Sequence, residues 1–478
     1  MKEKILKLEK IARLLEPDPD KRSDWNEKML RYADDFLDGL EDVKGFEKKQ
    51  GNAADFYNFK IQEEGKPIEE ILKTLHKEVD NYGINPASGA HLGYIPGGGI
   101  YPTAMGDYLA AVTNRYAGIF FANPGAVRLE NQLTRWMCAM VGYPDSALGN
   151  LTSGGSIANL IAIVTARDAQ NIKSKDVEKA VIYLTKQVHH CVQKAIRIAG
   201  LAEAQIRYVP MDGHFRMNTA ILQEQIKTDK SNGLRPFLVV GSAGTTDTGA
   251  IDPLDAIADI SAAEGMWFHV DAAYGGFFML VPELREKFRG IERSDSVAID
   301  PHKGLFLSYG LGAVLIKNVA AQYQSHFYKA AYMQDTLDAN EELSPADLSP
   351  ELTKHFRGLR MWMALQLFGL RPFKACLEEK IHLCNYFYEA IQKTGFEVGP
   401  RPDLSVCTYR FIPENGDADD FNRKLVDYVQ SDGRVFISST TIDGVFWIRL
   451  AVLSFRTHLR TIDLCLKVLK EGVAFLSR

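Results

Sequence analysis

Between about residues 103 and 320, helical patterns alternate with short apolar runs, and this alternation constrains the fold more than any other feature of the chain. The runs are residues 180–184 (AVIYL), 237–240 (FLVV), 266–270 (MWFHV), 297–299 (VAI) and 313–316 (AVLI). Strands that alternate with helices imply βαβ units and a mostly parallel sheet. At 478 residues the chain is too long for one ordinary core, so two or three packed units are expected. Residues 1–85 read as an N-terminal helical arm, with Ile68, Ile71, Leu72 and Leu75 on one face of IEEILKTLHKEVDNYG. Such a segment either packs on a partner subunit or forms ordinary surface helices. Residues 86–370 read as the large domain, entered through the Gly/Pro-rich stretch SGAHLGYIPGGGIYP. Residues 371–478 read as a small α+β domain: a long helical pattern, strand-like pieces at 406–412 and 445–450, then a closing helix.

Composition excludes several function classes. Net charge is −5, with both signs mixed along the chain, so neither a nucleic-acid footprint nor a polybasic membrane patch is expected. No apolar run approaches the roughly 18 residues of a membrane span, and the N-terminus lacks the apolar core of a signal peptide. Six cysteines, none at CxxC spacing, suit a reducing compartment and argue against a zinc knuckle. A cytoplasmic location is expected.

Four short motifs carry chemistry. In HVDAAYGG an apolar strand ends in Asp271, and carboxyl ends of parallel strands are where such sheets bind ligands. A carboxylate there needs a partner, and a protonated pyridine nitrogen is one. Alone, a D-A-A is more often a helix cap or a structural ion pair. In SVAIDPHKG the next run places Lys303 just beyond a strand end. A cationic cofactor beside it favours the amine form that Schiff-base chemistry needs. A lone lysine after a strand is usually a solvated surface residue, but the Asp271/Lys303 pair on successive strands is harder to assign to chance. In LTSGGSIANL, Gly154, Gly155 and Ser156 precede an apolar helical pattern, so amides at the helix start can face a phosphate. The same letters also form an ordinary cap. The stretch is neither a Walker A loop nor GxGxxG. In TKQVHHCVQKA, His189 follows a strand and can stack on a flat ring, or can simply begin a helix. The adjacent His190 points elsewhere on a helix and no ligand set is completed, so no metal is expected.

With these motifs in this order, the chain resembles the group II pyridoxal-phosphate-dependent amino-acid decarboxylases, the aromatic-L-amino-acid decarboxylase family. The similarity runs from about residue 25 to the C-terminus. DPHK with HVDAAYGG at this spacing is highly specific, and SAGTTDTGAIDPL and FRGLRMW add to it. The resemblance implies an α/β, fold type I (aspartate-aminotransferase-like) architecture with pyridoxal 5'-phosphate as cofactor. It implies that Lys303 carries the cofactor as an imine and that Asp271 pairs with its ring nitrogen. Ala273 and His189 would lie on the two ring faces, with Thr246 near the hydroxyl side and the substrate carboxylate. Gly154, Gly155 and Ser156 would hold the phosphate, His302 would join the proton traffic, and Tyr94, Ile95 and Pro96 would line the substrate pocket. Family members are homodimers with active sites at the subunit interface, embraced by their N-terminal helices.

The implied reaction is decarboxylation of an L-amino acid with an aromatic or apolar side chain, with His189 and His302 as candidate proton donors. The alternatives are an aldehyde synthase or another lyase of the same cofactor class, a non-catalytic binding protein, and a nucleotide-binding α/β protein. The chain departs from the family in four places, one of them Ile95, where aromatic decarboxylases often carry a Phe in the pocket. Asp300 stands where the family often has a phosphate-holding Asn, and a carboxylate beside a phosphate is repulsive unless it turns away or meets a cation. Ser88-Gly89 replaces a His-Pro of the pocket motif. The loop 334–355 contains no tyrosine, although in many relatives this loop supplies one that protonates the product.

Overall fold

The computed structural model describes residues 1–48, 60–80, 82–328 and 342–478. A two-residue strand Phe46–Glu47 (β1) pairs antiparallel with Gly83–Ile84 (β2) beside the N-terminal helices. The centre is a seven-stranded sheet built from Leu148–Thr152 (β3), Ala180–Leu184 (β4), Gln205–Tyr208 (β5), Arg235–Ser242 (β6), Trp267–Asp271 (β7), Ser296–Ile299 (β8) and Gly312–Ile316 (β9). Its spatial order is β3-β9-β8-β7-β6-β4-β5. The five strands from β8 to β5 run parallel, while β9 is antiparallel to both β8 and β3. The sheet is therefore mostly parallel, as the alternation of patterns requires.

Period-two geometry divides each central strand between two cores. Val181 and Tyr183 of β4 face one, with Val239 of β6 and Phe268 and Val270 of β7. Ile182 and Leu184, Leu238 and Val240, and Trp267 face the other. Burial on both faces is why these strands read as unbroken apolar runs. The sequence reading does not mark β3 or β5. LGNLT carries a buried polar residue, Asn150, held by its bonds to Pro345 and Gln322, and QIRY is a half-exposed edge strand.

The C-terminal region builds a second, antiparallel sheet. It contains Phe396–Val398 (β10), Val406–Phe411 (β11), Ser438–Ile442 (β12) and Val445–Ala451 (β13) in the order β10-β11-β13-β12. Helices Arg371–Gln392, Ala418–Asp432 and Leu459–Leu476 pack on it around Cys384, Phe387, Tyr409 and Ile448. All six cysteines are free. Among the described residues, no helix is long and apolar enough to cross a membrane.

Candidate active site

The carboxyl edge of the parallel strands opens into a cavity of about 360 Å³. Asp271 is the last residue of β7 and stands in register with Ala298 of β8. Its Oδ1 accepts a hydrogen bond from the Ala273 amide at 3.1 Å, which aims the carboxylate along the cavity wall. Beyond β8 the chain turns at Asp300 into the short helix Pro301–Gly304, and Lys303 on that helix reaches back into the same cavity. Successive strands thus bring Asp271 and Lys303 to one place.

The opposite wall is the start of the helix Gly155–Ala169, which follows β3 through Gly154. Gly154 has φ 152, a conformation that a side chain would resist. Gly155 lies so close to the β8 end that an added β-carbon would stand 3.1 Å from Asp300 Oδ2 and 3.2 Å from the Ala273 methyl. The first-turn amides and the exposed Ser156 hydroxyl lie along this end of the cavity, an arrangement suited to an anion.

Two carboxylates set the electrostatics of Lys303 in the chain without its cofactor. Its Nζ lies 3.2 Å from Asp300 Oδ2. Although burial opposes the charge, Asp300 and then Asp271 hold the lysine above its ordinary range. In the chain by itself the ammonium is favoured, not the amine, because two carboxylates outweigh desolvation. Asp300 is almost fully buried; its Oδ2 meets the lysine, and its Oδ1 has no hydrogen-bond partner among the described residues.

The two candidate histidines have distinct states. His189 caps the helix His190–Ile198, and its Nδ1 accepts from the Cys191 amide at 3.3 Å. Burial pulls its pKa below the ordinary value, so the ring is neutral and its proton sits on Nε2. His302 is the reverse. Its Nδ1 donates to the Leu311 carbonyl at 2.6 Å, and burial again favours the neutral ring. The bare Nε2 of His302 stands 3.7 Å from Asp300 Oδ2.

Gly154, Gly155, Ser156, His189, Thr246, Asp271, Ala273, Asp300, His302 and Lys303 all line this cavity. Tyr94, Ile95 and Pro96 do not. They lead into Gly97, whose α-carbon packs so tightly on the helix Pro301–Gly304 that a β-carbon would overlap the His302 carbonyl. Ile95 is buried and Tyr94 half exposed against Phe436. Residues 334–341 of the tyrosine-free loop lie outside the described residues. Its later part begins at Glu342, held by Asn131 Nδ2 at 2.8 Å and by Arg135.

Sequence reasoning missed Asn159, Gln187, Cys191, Ser242 and Tyr274, which also line the cavity. Asn159 follows Gly155 by one helical turn and Gln187 precedes His189 by two residues, so proximity to marked residues was the available signal. Arg449 is a buried side chain with a structural role, reaching from β13 to the cavity loop. Arg449 Nε donates to the Asp247 carbonyl at 2.8 Å, Nη1 donates to Ser438 Oγ at 3.1 Å, and Nη2 donates to the Thr246 carbonyl. Arg456 donates to the carbonyls of Ala87 (3.1 Å) and Gly98 (2.8 Å), a structural duty.

The arrangement fits pyridoxal phosphate. A helix start lined by glycines offers amides to a phosphate, a buried carboxylate at the other wall can meet a pyridinium, and a lysine lies between them. Comparison with known proteins agrees. Residues 51–411 match the family model described as the pyridoxal-dependent decarboxylase conserved domain. The chain is 33% identical over 425 residues to an aromatic-L-amino-acid decarboxylase of Bacillus atrophaeus, spanning 87% of this chain and 88% of that protein. It is 27% identical over 491 residues to a phenylacetaldehyde synthase of Arabidopsis thaliana, spanning 97% and 98%. The crystal structure of Oryza sativa TDC with PLP and tryptamine superposes with a TM-score of 0.91 at 24% identity, covering 97% of this chain and 99% of that one.

Proposed function

This chain belongs to the pyridoxal-dependent decarboxylase family, and from that premise we propose that it converts an aromatic L-amino acid to its amine and carbon dioxide. The observation that carries the reading is one cavity that joins Lys303, Asp271 and the Gly154–Gly155–Ser156 rim. The similarity to the Bacillus atrophaeus protein supports the aromatic substrate class.

When bound, pyridoxal phosphate supplies a conjugated pyridinium that accepts the electron pair left as carbon dioxide departs. The residues around it have separable tasks. Lys303 holds the cofactor through its amine, and Asp271 keeps a proton on the ring nitrogen by ion pairing. The amides of Gly155 and Ser156, with the Ser156 hydroxyl, bind the phosphate. Ala273 and His189 confine the ring from its two faces. Thr246 orients the substrate carboxylate, and its own position depends on Arg449. His189 is the proton donor that the geometry favours, because its Nε2–H is not committed elsewhere, whereas the one N–H of neutral His302 is used by Leu311. Tyr94, Ile95 and Pro96 lie outside the cavity of the single chain, and a role for them in meeting the substrate side chain rests on the family resemblance alone.

The same proposal includes a homodimer and the division of the chain near residues 85 and 370. Support for the dimer comes from the first fifteen residues of the chain. The helix Lys2–Ala12 buries none of its residues, and Ile5, Leu6, Leu8, Ile11, Leu14 and Leu15 are all more than half exposed. So much exposed aliphatic surface on one segment is the mark of a partner's contact.

The test is to add pyridoxal phosphate to the purified protein, record the visible band of the imine, and collect carbon dioxide from tryptophan, tyrosine and phenylalanine. Carbon dioxide and amine in equal amounts are expected from at least one of them. Ammonia and hydrogen peroxide in place of the amine would assign the chain to oxidative deamination instead, and no band at all would refute the cofactor site.

A further inference from the structure

Gln187 is a buried polar group in the cavity wall to which the proposed function gives no task. The residue is 6% exposed, and its Oε1 has no hydrogen-bond partner among the described residues. An amide oxygen left unpaired in the interior opposes folding, so such a group calls for a reason. The local backbone gives none. Thr185 Oγ1 accepts from the Gln187 backbone N–H at 3.3 Å, and the Val188 N–H donates to the Thr185 carbonyl at 3.3 Å. That turn fixes the main chain of Gln187 and leaves its side chain untied. A leucine would fill the same space without the cost.

Oε1 is sealed within the wall, so the amide presents its nitrogen, with two N–H groups, to the cavity. Polar neighbours that line the same cavity are committed elsewhere. The Thr245 and Thr248 hydroxyls pair with each other at 2.7 Å. The Tyr274 hydroxyl lies 2.7 Å from Ser405 Oγ and accepts from the Ser405 amide at 2.9 Å. Asn159 spends its own amide on the Gly155 carbonyl and on His269. Gln187 is therefore a donor aimed at what fills the cavity, and its missing partner is an acceptor.

Strand order says which acceptor. The Gly154–Gly155 turn follows β3, at one end of the order β3-β9-β8-β7-β6-β4-β5; Lys303 follows β8, Asp271 ends β7, and Gln187 follows β4, beyond β6. In pyridoxal phosphate the aldehyde carbon stands between the phosphate arm and the ring hydroxyl, with the ring nitrogen opposite. A ring whose phosphate meets the glycine turn, whose aldehyde meets Lys303 and whose nitrogen meets Asp271 has its hydroxyl oxygen turned toward the β6 and β4 loops. That oxygen, ionised or sharing its proton with the imine nitrogen, is an acceptor. Resting on the cofactor site proposed above, we propose that Gln187 is a further cofactor-binding residue, whose side-chain N–H donates to the ring hydroxyl oxygen. Gln187 thus holds the oxygen edge of the ring as Asp271 holds its nitrogen.

The test removes each partner in turn. Cofactor-free wild type and Gln187→Leu are titrated by calorimetry with pyridoxal phosphate and with its 3-deoxy analogue, which lacks the ring hydroxyl. Gln187→Leu should bind pyridoxal phosphate about ten- to a hundredfold more weakly than wild type, the worth of a hydrogen bond to a charged oxygen, and should bind the analogue as well as wild type does. Equal losses with both ligands, or a loss with neither, would overturn the proposal while leaving the cofactor site intact. A wild type that binds neither ligand would instead sink the site itself. Stability supplies a second readout. Cofactor-free Gln187→Leu should unfold at the same or a higher denaturant midpoint than cofactor-free wild type, because the unpaired amide is gone. A lower midpoint would mean that Gln187 supports the fold, and would overturn the assignment. Gln187→Glu keeps the shape of the side chain, loses the donors and repels an ionised oxygen, so it should show the same selective loss; wild-type affinity for pyridoxal phosphate in that variant would refute the idea.

Discussion

His269 Nε2 lies 2.7 Å from Asn159 Oδ1, deep beneath the cavity floor, and the bond has only one possible direction. Asn159 Nδ2 donates to the Gly155 carbonyl at 2.9 Å, so its oxygen faces the imidazole and Nε2 must carry the proton. Burial drives the His269 pKa down to about 4, so Nδ1 is bare and accepts from the Ser296 hydroxyl at 2.8 Å. That hydroxyl in turn accepts from Trp267 Nε1 at 2.8 Å. The relay ties β7, which carries Asp271, to β8 and to the phosphate rim. Cutting it by Asn159→Ala leaves a buried imidazole N–H without a partner, at a cost of about 1–3 kcal/mol. Denaturant unfolding should register that loss, and cofactor affinity should fall with it as the Gly155 turn loosens.

Because His269 is buried and neutral, it also makes folding pH-dependent. Its folded pKa, about 4, lies below the ordinary 6.5, so between those values the unfolded chain binds more protons than the folded one. Stability from this group is complete above pH 6.5 and is lost as pH falls toward 4, by about 3 kcal/mol in all. Asp252 works in the opposite sense. Burial raises it to about 6 despite bonds from the Met217 and Ser242 amides, so its contribution declines as pH rises from about 4 to about 6. The two trends partly cancel in the wild type. Removing His269 leaves the Asp252 trend uncompensated, so the denaturation midpoint of His269→Gln should rise relative to that of the wild type as pH falls from 6.5 toward 4; an unchanged difference across that range would contradict a neutral His269.

Lys303→Ala should abolish both the visible band and turnover. The loss in turnover should be many orders of magnitude, because among the described residues no other amine borders the cavity. The same substitution strands Asp300, whose Oδ2 loses its ammonium while Oδ1 already lacks a partner. The cofactor-free variant should thus be less stable than cofactor-free wild type at neutral pH, and the deficit should shrink in acid as Asp300 is protonated. Thermal unfolding at two pH values measures this.

The parts of this site that could be read in the sequence are those where local chemistry and local geometry coincide. Asp271 and Lys303 each sit at the end of an apolar run, and a parallel sheet places such ends side by side. The glycine pair before the helix Gly155–Ala169 is legible for the same reason. Arg449 was not legible. It lies about two hundred residues from Thr246, and only the packing of β13 against the 245–248 turn brings them together. The charge state of Lys303 was hidden too, since it depends on a carboxylate one helical turn away being buried rather than solvated. β9 breaks the parallel pattern without any sign in AVLI, because strand direction is fixed by the length and course of the connection, not by the residues of the strand.

The glycines around Asp300 differ in how much they can yield. At Gly155 an added methyl meets the Asp300 carboxylate at 3.1 Å and the Ala273 methyl at 3.2 Å, which small shifts relieve. Gly155→Ala should fold and should bind pyridoxal phosphate less tightly, with pyridoxal less affected. At Gly312 the same methyl meets Gly154 backbone atoms at 2.6 Å, and backbone cannot step aside. Gly312→Ala should displace the β3–β9 pair and cost several kcal/mol, on the order of the strain penalties of overpacked cores. Soluble yield and unfolding midpoint separate the two.

Arg449 gives the sharpest contrast between charge and shape. It is nearly fully buried, and its four stated ties are two turn carbonyls, one hydroxyl and a distant Asp247 carboxylate at 4.0 Å. Its function is to fix the backbone of Thr246 and Asp247 at the cavity mouth, and a planar fork with several donors does that where an ammonium cannot. Arg449→Lys keeps the charge but can reach at most one of the two carbonyls. It should destabilise the protein by about 2 kcal/mol, the worth of a charged hydrogen bond with its acceptor left unpaired. Since Thr246 is proposed to orient the substrate carboxylate, KM should rise while the visible band of the bound cofactor stays in place. A Lys variant with wild-type KM would show that the turn holds its shape without the guanidinium, and would remove Thr246 from substrate binding or Arg449 from its support.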